Sequence, residues 1–68
     1  MVPITILING QWETCPPATI LQLIVRQGLS PQSLVVEFNG SIISQEQWPM
    51  VHLKNDDVLE LLTFVGGG

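Results

Sequence analysis

The start of the chain alternates between apolar and other side chains with a period of two. The positions that share one face of residues 2–9 are Val2, Ile4, Ile6 and Ile8. This alternation in a segment rich in β-branched residues predicts a strand. Asn9-Gly10 follows, and both residue types tolerate the positive φ of a two-residue hairpin turn. We therefore predict a β-hairpin whose second strand, residues 11–15, ends at two prolines that cannot donate ladder hydrogen bonds.

The period then changes from two to about 3.6, which predicts a helix. Thr19 and Gln22 form the T-x-x-Q capping box that begins many helices. The apolar stripe that follows has helical spacing and consists of Ile20, Leu23 and Ile24, with Leu21 and Val25 beside it. We expect the helix to end at Gly28 in a left-handed conformation, with Leu29 folding back as the apolar partner of a Schellman motif.

The second half of the chain repeats the hairpin signal and ends with a long apolar strand. Residues 45–54 are irregular, and we expect there a helical turn around Trp48 that Pro49 stops. The other predicted segments, in chain order, are a strand at residues 34–38, the turn Asn39-Gly40, a return strand at 41–44, a polar turn at 55–57 and a strand at 58–65.

The order of these elements predicts the fold. Two hairpins are joined by a helical crossover, and the near-continuous hydrophobicity of residues 58–65 suits a central strand flanked on both sides, between the first and third strands. This is an α+β fold, a mixed sheet of about five strands with one main helix on one face, known as the β-grasp or ubiquitin-like roll. We expect one such domain at residues 1–65 and a flexible glycine tail at residues 66–68.

The charge balance narrows the range of partners. The 68 residues include two basic and six acidic side chains, for a net charge of −4. Two cations are too few to neutralise a nucleic-acid backbone, so we expect no nucleic acid and instead expect proteins with basic surfaces as partners. The longest apolar stretch, residues 20–25, is broken by Gln22 and is far shorter than the about 18 residues of a membrane span. We therefore expect no membrane partner.

No constellation of residues points to catalysis or to metal binding. Cys15 and His52 are the single residues of their types, which leaves no internal disulfide and too few ligands for zinc. No serine is marked as an activated nucleophile. We expect a protein that is not an enzyme, binds no cofactor and resides in the reducing cytoplasm. Cys15 should be half-buried, His52 should lie at the surface, and Trp12 and Trp48 should be local packing residues.

The candidate functional segment is the glycine run Gly66, Gly67 and Gly68. The other three glycines have roles in turns or at the helix end, whereas these three follow the last strand. Three extended residues span about 10 Å, and without Cβ atoms they can thread a narrow channel. The α-carboxylate of Gly68 is ionised and a poor electrophile, and it becomes reactive once a partner converts it to an acyl adenylate. The alternative is a frayed terminus without a function.

A docking surface for partners is predicted beside this tail. By strand parity Glu60, Leu62 and Phe64 share the sheet face turned away from the helix, and Leu7 of the first strand should share it. An apolar patch rimmed by acids is typical of a docking surface. The alternative is that Leu62 and Phe64 fill a minor core or lie near the sheet edge.

The sequence resembles the small sulfur carrier proteins of bacterial thiamine (thiazole) biosynthesis over essentially its whole length. The resemblance is carried by residues 42–48 (IISQEQW), 55–61 (NDDVLEL) and 64–68 (FVGGG), together with the hairpin segments 6–10 and 36–40. It implies that an adenylyltransferase related to ubiquitin-activating enzymes uses Mg-ATP to adenylate Gly68. It further implies that sulfur from a cysteine desulfurase replaces the adenylate, and that thiazole synthase takes this sulfur from the resulting thiocarboxylate. The carrier would then be a co-substrate and not a catalyst.

Three other hypotheses remain open at the level of sequence. The small subunit of molybdopterin synthase is also a β-grasp carrier with a Gly-Gly end and the same thiocarboxylate chemistry, although such chains usually run longer. A ubiquitin-like modifier would form isopeptide bonds with lysines of other proteins. A plain β-grasp interaction module would have an inert tail.

Overall fold

The computed structural model describes residues 2–64, which form five strands, one α-helix and two short 3₁₀ helices. In chain order the elements are β1 (Ile4–Ile8), β2 (Gln11–Cys15), α1 (Ile20–Arg26), a first 3₁₀ helix (Pro31–Ser33), β3 (Leu34–Phe38), β4 (Ser41–Ile43), a second 3₁₀ helix (Gln45–Met50) and β5 (Val58–Thr63). The predicted glycine tail, residues 66–68, lies outside the described residues. The helices described between residues 2 and 64 are all too short to be membrane spans.

The five strands form one mixed sheet in the order β2-β1-β5-β3-β4. β1 and β5 are parallel, and the other neighbouring pairs are antiparallel. The C-terminal strand therefore lies between the first and third strands, as predicted. The strand order and the single crossover helix confirm the β-grasp roll.

Both hairpin turns have the predicted conformation. Asn9 and Gly10 have φ angles of 49° and 79°, and Asn39 and Gly40 have φ angles of 49° and 89°. Positive φ at both central residues is the mark of a type I′ turn, whose twist matches that of the flanking strands. A two-residue turn also sets the pairing of its strands, so each hairpin register follows directly from the sequence.

The ends of α1 are the ones that the sequence predicts. The Gln22 amide N–H donates to Thr19 Oγ1 at 3.1 Å, and the Thr19 N–H donates to Gln22 Oε1 at 2.8 Å, which completes the capping box. At the other end Gly28 has a φ of 74°, and its N–H donates to the Val25 carbonyl. The Leu29 N–H donates to the Ile24 carbonyl, so the helix ends in a complete Schellman motif.

The core lies between α1 and one face of the sheet, here called the inner face. Its strand residues alternate, as the period of two requires, and its buried members from the sheet are Ile4, Ile6, Ile8, Leu34, Val36, Leu59 and Leu61. The helix contributes Ile20, Leu23 and Ile24, and the second 3₁₀ helix contributes Trp48. The opposite face, here called the outer face, is not covered by any element within residues 2–64.

Two local predictions are wrong. Pro49 does not stop the turn around Trp48, because the second 3₁₀ helix continues through it to Met50. The fixed φ of proline fits a 3₁₀ helix, and the burial of Trp48 (1% exposed) anchors the segment. Trp12 is not a packing residue, since 59% of its surface is exposed. It lies on an edge strand with its side chain on the outer face, which no element within residues 2–64 covers.

Candidate functional site

The central strand β5 leads to the glycine tail, and the turn of the second hairpin holds its start. The Val58 N–H donates to Asn39 Oδ1 at 2.8 Å, and the Asn39 N–H donates to the Val58 carbonyl at 2.8 Å. Asn39 Nδ2 also donates to Asp57 Oδ1 at 3.1 Å. The Lys54 N–H donates to Asp57 Oδ2 at 2.7 Å, so both oxygens of this buried carboxylate are hydrogen-bonded. The predicted polar turn is confirmed, and its Asp57 is a structural residue.

The turn of the first hairpin holds the middle of β5 in a similar way. The Asn9 N–H donates to the Leu59 carbonyl at 2.9 Å. Its side chain then binds both backbone groups of Leu61: the Leu61 N–H donates to Asn9 Oδ1 at 2.7 Å, and Asn9 Nδ2 donates to the Leu61 carbonyl at 3.3 Å. The Asn9 amide therefore continues the β1–β5 ladder beyond the last residue of β1.

On the other edge of β5, pairing with the β3 side reaches the last described residue. Leu34 pairs with Thr63, and the Phe64 N–H donates to the Ser33 carbonyl at 3.0 Å. The chain is thus held by backbone hydrogen bonds up to Phe64, next to the segment that contains Gly66, Gly67 and Gly68. β5 is therefore held on both edges as far as Leu61, and on the β3 edge as far as Phe64.

The structure places the predicted docking residues on the predicted face. Glu60 and Leu62 of β5 alternate with the buried Leu59 and Leu61, and they therefore lie on the outer face. Leu62 is 57% exposed and Phe64 is 50% exposed, which excludes the alternative that they fill a minor core.

Leu7 is the fourth predicted docking residue. It lies on β1 between the buried Ile6 and Ile8, is itself half-buried, and pairs with Val58 of β5. The four residues predicted for docking are thus brought to one face, and their docking role remains a prediction.

Four further residues of the outer face were missed by the reasoning from sequence. Trp12 lies opposite Leu7, and Ile42 (72% exposed) lies opposite Glu37. Both pairs follow from the two-residue turns, so the signal was present in the sequence. Val58 and Glu37 complete the set by strand parity. Of the eight large hydrophobic residues exposed within residues 2–64, five belong to this surface: Trp12, Ile42, Val58, Leu62 and Phe64.

The prediction that acidic residues lie at the rim of this surface is wrong, because the two acids lie within it. Glu37 of β3 is directly opposite Glu60 of β5, and both side chains are half-buried. Apolar side chains border the pair along and across the strands: Val35, Ile42, Val58 and Leu62. The prediction failed because the pairing of β3 with β5 is set by tertiary packing and not by a turn.

The remaining candidate residues lie apart from this surface. Cys15 is half-buried and packs against the core, and His52 is exposed, as predicted. Within residues 2–64, no group of three or more His, Cys, Asp or Glu side chains could hold a metal ion.

The strand order and the single crossover helix define a class: small ubiquitin-like β-grasp proteins, here with exposed apolar side chains on one sheet face. The particular family follows from comparison with known proteins. The chain belongs to the ThiS family, whose sequence model matches residues 6–68.

Individual relatives agree with this assignment. The chain is 40% identical over 64 residues to the sulfur carrier protein ThiS of Bacillus subtilis, a match that covers 90% of this chain and 96% of that one. The crystal structure of the thiamine biosynthesis protein ThiS from Geobacter metallireducens superimposes with a TM-score of 0.82 at 25% identity, covering 96% of this chain and all of that one. The chain is therefore a ThiS-type sulfur carrier of thiamine biosynthesis, which favours the first of the four sequence-based hypotheses.

A third relative is much longer than this chain. A thiazole synthase of Magnetococcus marinus is 33% identical over 62 residues, which make up 90% of this chain and 19% of that protein. A segment similar to the whole β-grasp domain is thus part of a larger protein that bears this name.

Proposed function

We propose that the reactive group of this carrier is the α-carboxylate of Gly68, which partner enzymes convert to a thiocarboxylate. In the first step a carboxylate oxygen attacks the α-phosphorus of ATP, and pyrophosphate leaves. An adenylyltransferase binds the Mg-ATP, so the carrier itself needs no cofactor. In the second step the terminal sulfur of a persulfide formed by a cysteine desulfurase attacks the acyl carbon, and AMP leaves. A thiol reductant then cleaves the S–S bond of the resulting acyl disulfide, which releases the thiocarboxylate. The carrier is a co-substrate of these enzymes.

The observation that carries this proposal is the position and anchoring of β5. The side chains and backbone of Asn39 and Asn9, and the backbone carbonyl of Ser33, form hydrogen bonds with the chain between Val58 and Phe64. In the sequence, Val65 separates Phe64 from Gly66, Gly67 and Gly68, which add length without side chains. A rigid strand followed by a side-chain-free segment suits the delivery of a terminal carboxylate into a narrow active site.

Thiazole synthase is the proposed acceptor of the sulfur. The Magnetococcus marinus relative of that name includes a segment similar to this chain, which supports a working association between such a domain and such an enzyme. The proposed contacts with the partner enzymes, made while these enzymes act on the Gly68 carboxylate, are formed by Leu7, Glu60, Leu62 and Phe64. The single thiol, Cys15, fits a carrier that works in the reducing cytoplasm.

Blocking the carboxylate tests the proposal. A short peptide tag fused after Gly68 should abolish sulfur transfer to the thiazole product in a reconstituted mixture of carrier, adenylyltransferase, cysteine desulfurase and thiazole synthase. The same tag fused before Met1 is the matched control and should preserve transfer. Equal thiazole yields from the two fusions would show that the terminal carboxylate is not the reactive group.

A further inference from the structure

Glu37 and Glu60 form an unfavourable pair within the sheet itself. They occupy directly opposite positions of β3 and β5, and both side chains are half-buried. Like charges at directly opposite positions lower the stability of a sheet. None of the five strands contains a Lys, Arg or His, so no residue of the sheet compensates the repulsion.

The surroundings of the pair are apolar and accessible. Ile42 lies opposite Glu37 on the next strand, and Val58 and Leu62 lie two residues before and after Glu60 on β5. All three are exposed in the isolated chain. A partner that covers them removes water from around the two carboxylates, which strengthens the attraction of the carboxylates to an opposite charge.

We propose that the Glu37–Glu60 pair receives one Lys or Arg side chain of thiazole synthase, presented among apolar residues that cover Ile42, Val58 and Leu62. The choice of this partner rests on the proposed function. Two carboxylates in register offer several acceptor positions, and a single cation between them turns a repulsion into two attractive contacts. The docking surface thus selects its partner by charge as well as by apolar contact.

A second copy of this chain is a poor occupant of the same surface. Apposing two outer faces would bring four carboxylates together, and the strands of the second copy would supply no cation. The charge pattern therefore favours a basic partner over self-association.

The test removes the charges without changing the shape of the side chains. The double variant Glu37→Gln, Glu60→Gln is compared with Glu46→Gln, Asp56→Asn, which changes the net charge equally at two exposed positions outside the sheet. Asn tolerates the left-handed backbone of position 56, where φ is 72°. Affinity for thiazole synthase from the same genome is measured by calorimetry from about 0.05 to about 0.5 M salt, and thermal unfolding of each free variant is followed.

We expect the Glu37→Gln, Glu60→Gln protein to bind thiazole synthase at least about tenfold more weakly than wild type at low salt. Its affinity should also depend less on salt, while its midpoint of thermal unfolding should rise by on the order of a few degrees. The control pair should stay close to wild type in affinity.

Two results on the Glu37→Gln, Glu60→Gln protein would overturn the inference: an affinity loss no larger than that of the control pair, or a fall in its unfolding midpoint. Two results on the wild-type carrier would also overturn it: failure to bind thiazole synthase, or dimerisation through the outer face. Thiocarboxylate formation is measured separately on the same proteins. If the wild-type carrier forms no thiocarboxylate, the proposed function is contradicted. If it nevertheless binds thiazole synthase in a salt-dependent way through the two glutamates, the docking inference is supported.

Discussion

Asn9 and Asn39 occupy equivalent positions in the two hairpins, and each serves both its own turn and the central strand. The turn needs a residue that adopts positive φ, and the side-chain amide then hydrogen-bonds the β5 backbone. Asparagine combines both properties because its short amide is tolerated in the left-handed region and carries a donor and an acceptor. The Asn-Gly dipeptides are therefore part of the mechanism that fixes the strand before the tail.

Substitution of Asn9 separates these two roles. Asn9→Gly should keep the turn and lose the two hydrogen bonds to Leu61, at a cost of about 1–2 kcal/mol in the free energy of unfolding. Asn9→Ala should cost about 1 kcal/mol more, because alanine also strains the left-handed backbone. Urea denaturation followed by circular dichroism measures both values. A glycine variant as stable as wild type would mean that the amide does not hold β5.

At the scale of the element, β5 has an inner side that stabilises the fold and an outer side that is left for partners. Leu61 is buried in the core, whereas its neighbour Leu62 is 57% exposed on the outer face. The continuous hydrophobicity of this strand therefore reflects two different requirements. Strand parity, readable in the sequence, assigned the residues to the correct sides.

The neighbouring pair of alanine variants tests this division. Leu61→Ala should lower the free energy of unfolding by about 2–4 kcal/mol, because it removes buried methyl groups and leaves a cavity. Leu62→Ala should change it by less than about 1 kcal/mol and should instead weaken binding to the partner enzymes. Chemical denaturation and a binding titration on both variants provide the comparison. Equal destabilisation by the two substitutions would contradict the assignment of the faces.

Elements that depend on short-range sequence signals were predicted correctly, whereas contacts that depend on tertiary packing were not. The two hairpins, the capped helix and the polar turn each depend on signals a few residues apart, and all four were predicted. The opposition of Glu37 to Glu60 depends on residues far apart in the chain, whose register is set by core packing, so the acids were misplaced at the rim. Pro49 was misjudged because the burial of Trp48 outweighs the usual stop signal.

At the scale of the whole molecule, the domain is a scaffold for one strand and the segment that follows it. The core fills the inner side, the two asparagine turns and Ser33 hold β5, and the outer face presents apolar side chains around two carboxylates. No part of residues 2–64 gathers the groups needed for metal binding. The held strand and the exposed outer face are the features on which the proposed delivery of the terminal carboxylate to partner enzymes rests.

The most direct measurement is the intact mass of the carrier after incubation with ATP, the adenylyltransferase, the cysteine desulfurase, cysteine and a thiol reductant. We expect one oxygen of the C-terminal carboxylate to be replaced by sulfur, with fragmentation locating the change at Gly68. The change should depend on ATP, and a variant that lacks Gly68 should not show it. An unaltered carrier mass in the complete mixture, or sulfur attached at Cys15 instead, would contradict the proposal.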